Sequence, residues 1–268
     1  MTPIVKFLRL CDGDKPAMGK VYDRMFQLVE KTKSSGVSWA PAAAKEISRR
    51  WEYLHSDMHA AGYALDPEFM TSVNEWDEHI NSGVLEIIGK DALRVCMAAH
   101  INIAKSQGVP DAIAHADARK MTVESEQVVE RIAKCELELA KFKEQEGVFT
   151  KPSVLKNAKE MPPGSWWNLY GGHLPLLQGV AISVLQQVIC ASACERNWSI
   201  YGQIKNNKRI RLSHEKADKL VYCHEALHLQ NKLQKAGYEA KVDCDGTRTP
   251  TPTRPTRRTS SSRHKLER

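Results

Sequence analysis

The sequence lacks the features that mark membrane, secreted and β-rich proteins. It contains no run of about 18 apolar residues, so we expect no membrane-spanning helix. Its seven cysteines are an odd number without a Cys-x-x-Cys pair, which indicates neither a disulfide framework nor a zinc site. Lys6 and Arg9 interrupt the N-terminal segment, so we expect no cleaved secretory signal. Apolar and polar residues nowhere alternate over a useful length, and the predicted fold is therefore mainly α.

Net positive charge is also small in most of the chain. The formal net charge is +7, but the residues from Gly246 onward carry six Arg and one Lys against one Glu, a net of +6. The preceding part is close to neutral, so the charge of the whole chain is weak evidence for a nucleic-acid-binding body. Residues 241–268 are rich in Thr, Pro, Arg and Ser, which predicts a disordered basic tail.

Apolar residues at helical spacing predict helices in the first half of the chain. Pro16 fits the first turn of a helix whose apolar positions are Val21, Met25, Leu28 and Val29. A second stripe, over residues 44–58, contains Ile47, Trp51, Leu54 and Met58. Residues 74–146 are helical by pattern, and one predicted solvated face there contains Glu138, Phe142 and Glu146.

Prolines separate these helices from a C-terminal helical unit. Residues 147–163 include Pro152, Pro162 and Pro163, and we predict a linker there. Trp166 and Trp167 then begin a short helix, and both, together with Trp198, are predicted to be buried. Pro175 opens a helix with a strongly apolar face that we expect to be buried: Leu177, Val180, Ala181, Val184, Leu185 and Val188. Ser213 is the predicted N-cap of a last helix, whose stripe runs along Ala217, Leu220, Val221, His224 and Leu227 and continues to Leu229 and Leu233.

Several segments of the chain are similar to one family of DNA transposases. Residues 194–199 read Cys-Glu-Arg-Asn-Trp-Ser, and residues 206–212 read Asn-Asn-Lys-Arg-Ile-Arg-Leu. This order resembles the C-terminal dimerisation region of hAT-family transposases. Residues 5–25, the Met-His-Ala-Ala-Gly-Tyr stretch at 58–63 and the Trp-Trp-x-x-Tyr pattern at 166–170 are similar to further segments of the family. The chain thus resembles the C-terminal part of a hAT transposase, as a truncated or domesticated copy.

The resemblance implies a domain organisation and a role in association. Residues 1–146 correspond to a helical insertion-type region, and residues 164–240 to C-terminal helices of an incomplete RNase H-like core. The implied function is protein dimerisation, with a second copy or with related hAT proteins, in the nucleus. No membrane or small-molecule partner is expected. The implied dimer contacts are seven apolar residues of the last two stripes: Leu177, Val180, Val184, Leu185, Leu220, Val221 and Leu227.

Glu195 has three interpretations. With Ser192 it fits a capping box, in which each side chain binds a backbone N–H of the other residue. In active hAT transposases, the Glu of this motif is the third carboxylate of an Asp-Asp-Glu triad that holds two divalent ions, Mg or Mn. In the last interpretation Glu195 is a relic, because the resemblance begins after the two catalytic Asp residues of the family. We expect no catalysis and no cofactor from this chain alone.

Two functional alternatives stay open beside dimerisation. In the first, the chain is the C-terminal part of an active transposase. In the second, it is a domesticated DNA-binding regulatory factor. For the latter, the candidate DNA contacts are the cations of one segment, for which a solvated loop is the simpler interpretation: Arg196, Lys205, Lys208, Arg209 and Arg211.

His224 and His228 raise one remote alternative. With Glu225 they spell the His-Glu-x-x-His pattern of zinc hydrolases, for which Glu239 is the only available third ligand. We predict no metal site, because the family match places this helix in the dimerisation region and no cleft is implied.

Overall fold

The computed structural model describes residues 3–13, 16–206 and 211–234. Every regular element in this part of the chain is a helix, and the prediction of a mainly α fold is confirmed. The α-helices are α1 (Pro3–Cys11), α2 (Val21–Lys33), α3 (Ala40–Leu54), α4 (Asp57–Leu65), α5 (Glu78–Ser106), α6 (Asp111–Ala118), α7 (Glu126–Lys143), α8 (Pro152–Glu160), α9 (Pro163–Tyr170), α10 (Pro175–Leu185), α11 (Ser192–Ile204) and α12 (His214–Leu233). Short 3-10 helices span Met18–Lys20, Pro67–Glu75, Gly147–Thr150 and Gly171–His173.

The main core joins helices from distant parts of the sequence. Helix α4 packs along α5, and α7, α9 and α10 close over them. The largest side chains of this core are fully buried: Leu65, Met70, Ile88, Phe142, Phe149, Trp166, Trp167, Leu174 and Leu177. The indole Nε1 of Trp166 donates to the carbonyl of Val154 at 3.1 Å, and that of Trp167 donates to the carbonyl of Leu65 at 2.8 Å. The predicted burial of both tryptophans is confirmed, and their polar atoms are satisfied.

A buried ion pair fixes the chain just before α2. The Lys20 ammonium lies 2.8 Å from Asp66 and 2.6 Å from Glu68, and both Lys20 and Asp66 are almost fully buried. Burial opposes the charge of Lys20, but the two carboxylates outweigh it and raise the pKa of the ammonium group. A side chain at Gly19 would overlap the Asp66 carboxylate, so this close approach requires glycine.

A second, smaller cluster holds the N-terminal helices together. Val21, Met25 and Leu28 of α2 are buried, which confirms the predicted apolar face of that helix. The side chains packed against them come from α1, from α3 and from the segment after α10: Phe7, Ile47, Trp51 and Ile189. The segment that leads into α11 is thus anchored on the N-terminal helices.

Two predicted segments differ from the structure. The helix predicted over residues 44–58 is divided, because His55 is extended (φ −59, ψ 143), so that α3 ends at Leu54 and α4 begins at Asp57. Leu54, expected on the apolar stripe, is 61% exposed. Residues 147–163, expected to be a linker, contain α8 and three buried side chains, those of Phe149, Val154 and Ala158. The prolines there begin α8 and α9 at their first turns, where the missing N–H is harmless. The domain boundaries stay a prediction.

Candidate functional site

Helix α10 belongs to the main core. The predicted face is buried up to the end of the helix, and Val188, predicted on the same face, lies beyond that end and is 39% exposed. The predicted dimer contacts on α10 are all buried, at 0–3% exposure: Leu177, Val180, Val184 and Leu185. These four side chains already contact α4, α7 and α9 of the same chain. Their implied role as dimer contacts is therefore wrong for this structure, because a side chain without exposed surface cannot contact a second chain.

A distant carboxylate stabilises the start of α10. Glu138 of α7 accepts a hydrogen bond from the backbone N–H of Leu177 at 2.8 Å. The first N–H groups of a helix lack intrahelical acceptors, and a negative charge there is favourable. Glu138 and Phe142 were predicted to be solvated, but Glu138 is half-buried and Phe142 is fully buried. Only the fold brings Glu138 to Leu177, so no local sequence signal could have found this contact.

The start of α11 is tied to the end of α1. Ser192 donates to the carboxylate of Asp12 at 2.7 Å, and its hydroxyl lies 3.0 Å from the Cys190 sulfur. Ala191 occupies the N-cap position and no side chain caps the helix. The predicted capping box is therefore wrong, because Ser192 already lies within α11 and its hydroxyl is bound to Asp12.

Helices α11 and α12 pack against each other as a hairpin. Ser213 accepts from the N–H of Lys216 at 3.4 Å, which confirms it as the N-cap of α12. His214 bridges the two helices: Nδ1 lies 2.8 Å from the Tyr201 hydroxyl and Nε2 lies 2.5 Å from the Lys205 ammonium. Because Lys⁺ can only donate, Nε2 of His214 is the acceptor in this contact.

Most of α12 is open to solvent. Ala217 is buried and Val221 and Glu225 are half-buried, whereas the other side chains that the structure describes in this helix are exposed. The exposed apolar side chains of the hairpin, here named the hairpin surface, are Trp198 (74%), Tyr222 (75%), Leu227 (61%), Leu229 (48%) and Leu220 (46%). At 3.6 residues per turn, Leu220 and Leu227 lie on one flank of the α11-facing side, and Tyr222 and Leu229 lie on the other.

Comparison with known families decides what this region is. Residues 138–227 match the model of the hAT family C-terminal dimerisation region. This match supports a relation of the chain to hAT-family transposases. The matched residues begin on α7, at the residue that caps α10, and end on α12 within the hairpin surface. No curated protein and no solved structure matches the chain.

The dimerisation region suggests a dimerisation role in this hAT-related protein. Of the predicted dimer contacts, Leu220 and Leu227 are exposed and Val221 is half-buried against α11. The predicted burial of Trp198 is wrong, because this side chain of α11 is 74% exposed. Leu229, predicted to continue the stripe of α12, is 48% exposed, and Tyr222 is an exposed aromatic residue that the sequence analysis did not single out.

The predicted basic patch of the hAT-related chain is only partly described. Arg196 and Arg211 are exposed, and Lys205 is half-buried against His214. Lys208 and Arg209 lie outside the described residues. The three described cations are therefore not equivalent, because the Lys205 ammonium is already bound within the hairpin.

Glu195 is exposed in the first turn of α11. Within the described part of the chain, no three His, Cys, Asp or Glu side chains are grouped closely enough to hold a metal ion. His224 and His228 are exposed one turn apart, with ring centroids separated by 6.3 Å, and Glu239 lies outside the described residues. Among the described helices, none combines the length and apolarity needed to cross a bilayer.

Proposed function

We propose that this hAT-related chain is a self-association module that acts without catalysis of its own. In this proposal, the hairpin of one copy binds the hairpin of a second copy, and the helical body holds the hairpin in place. The observation that carries the proposal is the hairpin surface, whose large apolar side chains are exposed and lie, apart from Leu229, inside the matched dimerisation region. Burial of such side chains against a partner is favourable, because it removes them from water.

The spacing on α12 favours a second helix as the occupant. Leu220 and Leu227 are seven residues apart, and His224 and Asn231 fall at the intervening seam positions. A seven-residue apolar repeat is typical of paired helices, and a single Asn in such a seam fixes the register at a cost in stability. All four side chains are exposed in the single chain. We therefore place Leu220, His224, Leu227 and Asn231 at the seam of the dimer.

The absence of catalysis is part of the proposal. The exposure of Glu195 in the first turn of α11 supports a role for it as a surface residue. From the family resemblance, we also propose that α10 and α11 correspond to C-terminal helices of an RNase H-like core. We also propose a nuclear location, which follows from the family resemblance. The exposure of Arg196 and Arg211 supports the further proposal that these two side chains contact DNA.

The test is sedimentation velocity of the full chain over a concentration series. We expect a discrete, reversible dimer, because the hairpin surface buries its leucines only in a partner. Replacing Leu220 and Leu227 together by Asp should raise the dimer Kd at least tenfold, which corresponds to about 1.4 kcal/mol. Leu137→Asp is the matched control, since Leu137 is 66% exposed on α7, away from the hairpin.

The control and the double variant should both keep the helical circular dichroism of the parent chain. A chain that stays monomeric at every concentration contradicts the proposal. So does an equal loss of dimer in Leu137→Asp, since the association would then not use the hairpin.

A further inference from the structure

We infer that His224 and His228 form a transition-metal site shared between two copies of this chain. The inference rests on the proposed self-association, because one copy supplies only part of the ligand set. Its chemical class is a borderline divalent ion such as Zn²⁺, for which neutral imidazole is a preferred ligand.

The two rings are arranged as a pair of ligands. His224 and His228 are one helical turn apart, their ring planes differ by 15°, and their centroids are 6.3 Å apart. Both side chains are exposed, so an ion can reach them from solvent. Histidines at i and i+4 on one helical face can bind the same zinc ion.

The neighbour of His224 on the chain leaves its ring free of a hydrogen bond. The Glu225 carboxylate lies 3.7 Å from Nδ1 of His224, beyond hydrogen-bond distance. Because this carboxylate lies beside Nδ1, we assign Nε2 of His224 to the ion.

A single chain cannot complete the site from its described residues. Zinc takes four ligands in closed protein sites, but the described part of the chain groups no third His, Cys, Asp or Glu with this pair. A two-fold dimer presents the same surface from both copies, so each ligand is duplicated. His224 lies at the proposed seam between Leu220 and Leu227. Pairing of two α12 helices across their middle therefore brings together four imidazoles, the number that a tetrahedral ion requires.

This site differs from the zinc hydrolase that the His-Glu-x-x-His spelling indicates. A hydrolase needs the ion in a cleft with an open position for water. Here the two histidines stand on the exposed side of a helix in a dimerisation region. The ion would strengthen association, because it binds the dimer more tightly than the monomer.

The experiment measures the dimer Kd of the full chain, without a histidine tag, in ZnCl₂ and in chelator, with thiols kept reduced. The readout is the ratio of the two Kd values within each variant, which cancels any effect of a substitution on metal-free pairing. We expect zinc to lower the Kd at least tenfold in the parent chain, with one zinc bound per two chains. His224→Asn and His228→Asn should each bring the ratio close to one. His115→Asn, at an exposed histidine of α6, should keep the parent ratio.

The outcomes separate the two ideas. A dimer in chelator with no response to zinc overturns the metal site and leaves the self-association in place. A zinc response that survives in both histidine variants also overturns it, because the ion then binds elsewhere. A monomer in both buffers overturns the proposed self-association and the metal site together. A zinc response that requires both histidines supports the shared site.

Discussion

Helices α10 and α12 differ in how far their apolar stripes are buried within the chain. Both lie in the matched dimerisation region, and both carry apolar residues at helical spacing. The stripe of α10 is buried in the chain's own core, whereas Leu220 and Leu227 of α12 are about half exposed or more. Periodicity shows which apolar side chains need to be buried, but it does not show whether they are buried against the same chain or against a partner.

Charge content distinguishes the two helices. The sequence of α10, PLLQGVAISVL, contains no charged residue, so nearly all of its surface can be buried without a desolvation cost. The sequence of α12 contains six Asp, Glu or Lys residues, which restrict any covered area to a narrow stripe. A helix with charges on most sides is suited to a limited contact with one neighbour or one partner.

Thiol reactivity should show the largest difference between the core and the hairpin. Burial raises the pKa of the Cys135 thiol to about 12, with a further contribution from Glu138, and Cys223 is exposed on α12. Because the thiolate is the species that reacts, iodoacetamide should modify Cys223 faster than Cys135, by on the order of a hundredfold or more near pH 8. Peptide mass spectrometry of timed samples measures both rates.

Raising the pH should increase the rate of modification of Cys135 continuously up to its raised pKa, because the thiolate fraction grows throughout that range. Dilute protein keeps Cys223 clear of a partner during the measurement. Equal rates at the two cysteines in native buffer would mean that α7 does not lie in a stable core.

Truncating one leucine in α10 and one in α12 should show how much each helix contributes to the free energy of unfolding. Leu177→Ala removes a fully buried side chain and should lower the free energy of unfolding by about 2–5 kcal/mol, because a cavity remains. Leu227→Ala removes a side chain that is 61% exposed and should change it by less than about 0.5 kcal/mol. Urea unfolding at monomeric concentration, followed by circular dichroism, measures both values. Similar losses in the two variants would show that α12 is as well covered as α10.

The smallest effect concerns the carboxylate that caps α10. Glu138→Ala leaves the N–H of Leu177 without its acceptor and should cost about 1 kcal/mol of unfolding free energy. Glu136→Ala, at an exposed position of the same helix, is the control and should stay within about 0.5 kcal/mol of the parent. Matched urea titrations give the difference. Indistinguishable midpoints for the two variants would mean that the cap contributes nothing to the anchoring of α10.

Local patterns in the sequence predicted the helices, but not their long-range partners. The faces of α2 and α10, the burial of Trp166 and Trp167 and the N-cap at Ser213 follow from spacing and residue type within one or two turns. Glu138 and Leu177, or Ser192 and Asp12, meet only because the folded helices bring them together. The capping box failed for this reason, since a distant carboxylate bound the hydroxyl that the local motif would use.

The hydrogen bond from Trp167 to Leu65 has a consequence for synthesis. The two residues are 102 positions apart, so the first helices are made well before the indole that completes their core. At the usual 5–20 residues per second, the ribosome needs roughly 5–20 s to cover that distance. During this interval the apolar faces of α4 and α5 lack α9 and α10. The nascent chain therefore exposes these apolar faces for seconds, and the closure of the core over α4 and α5 is a late step of its folding.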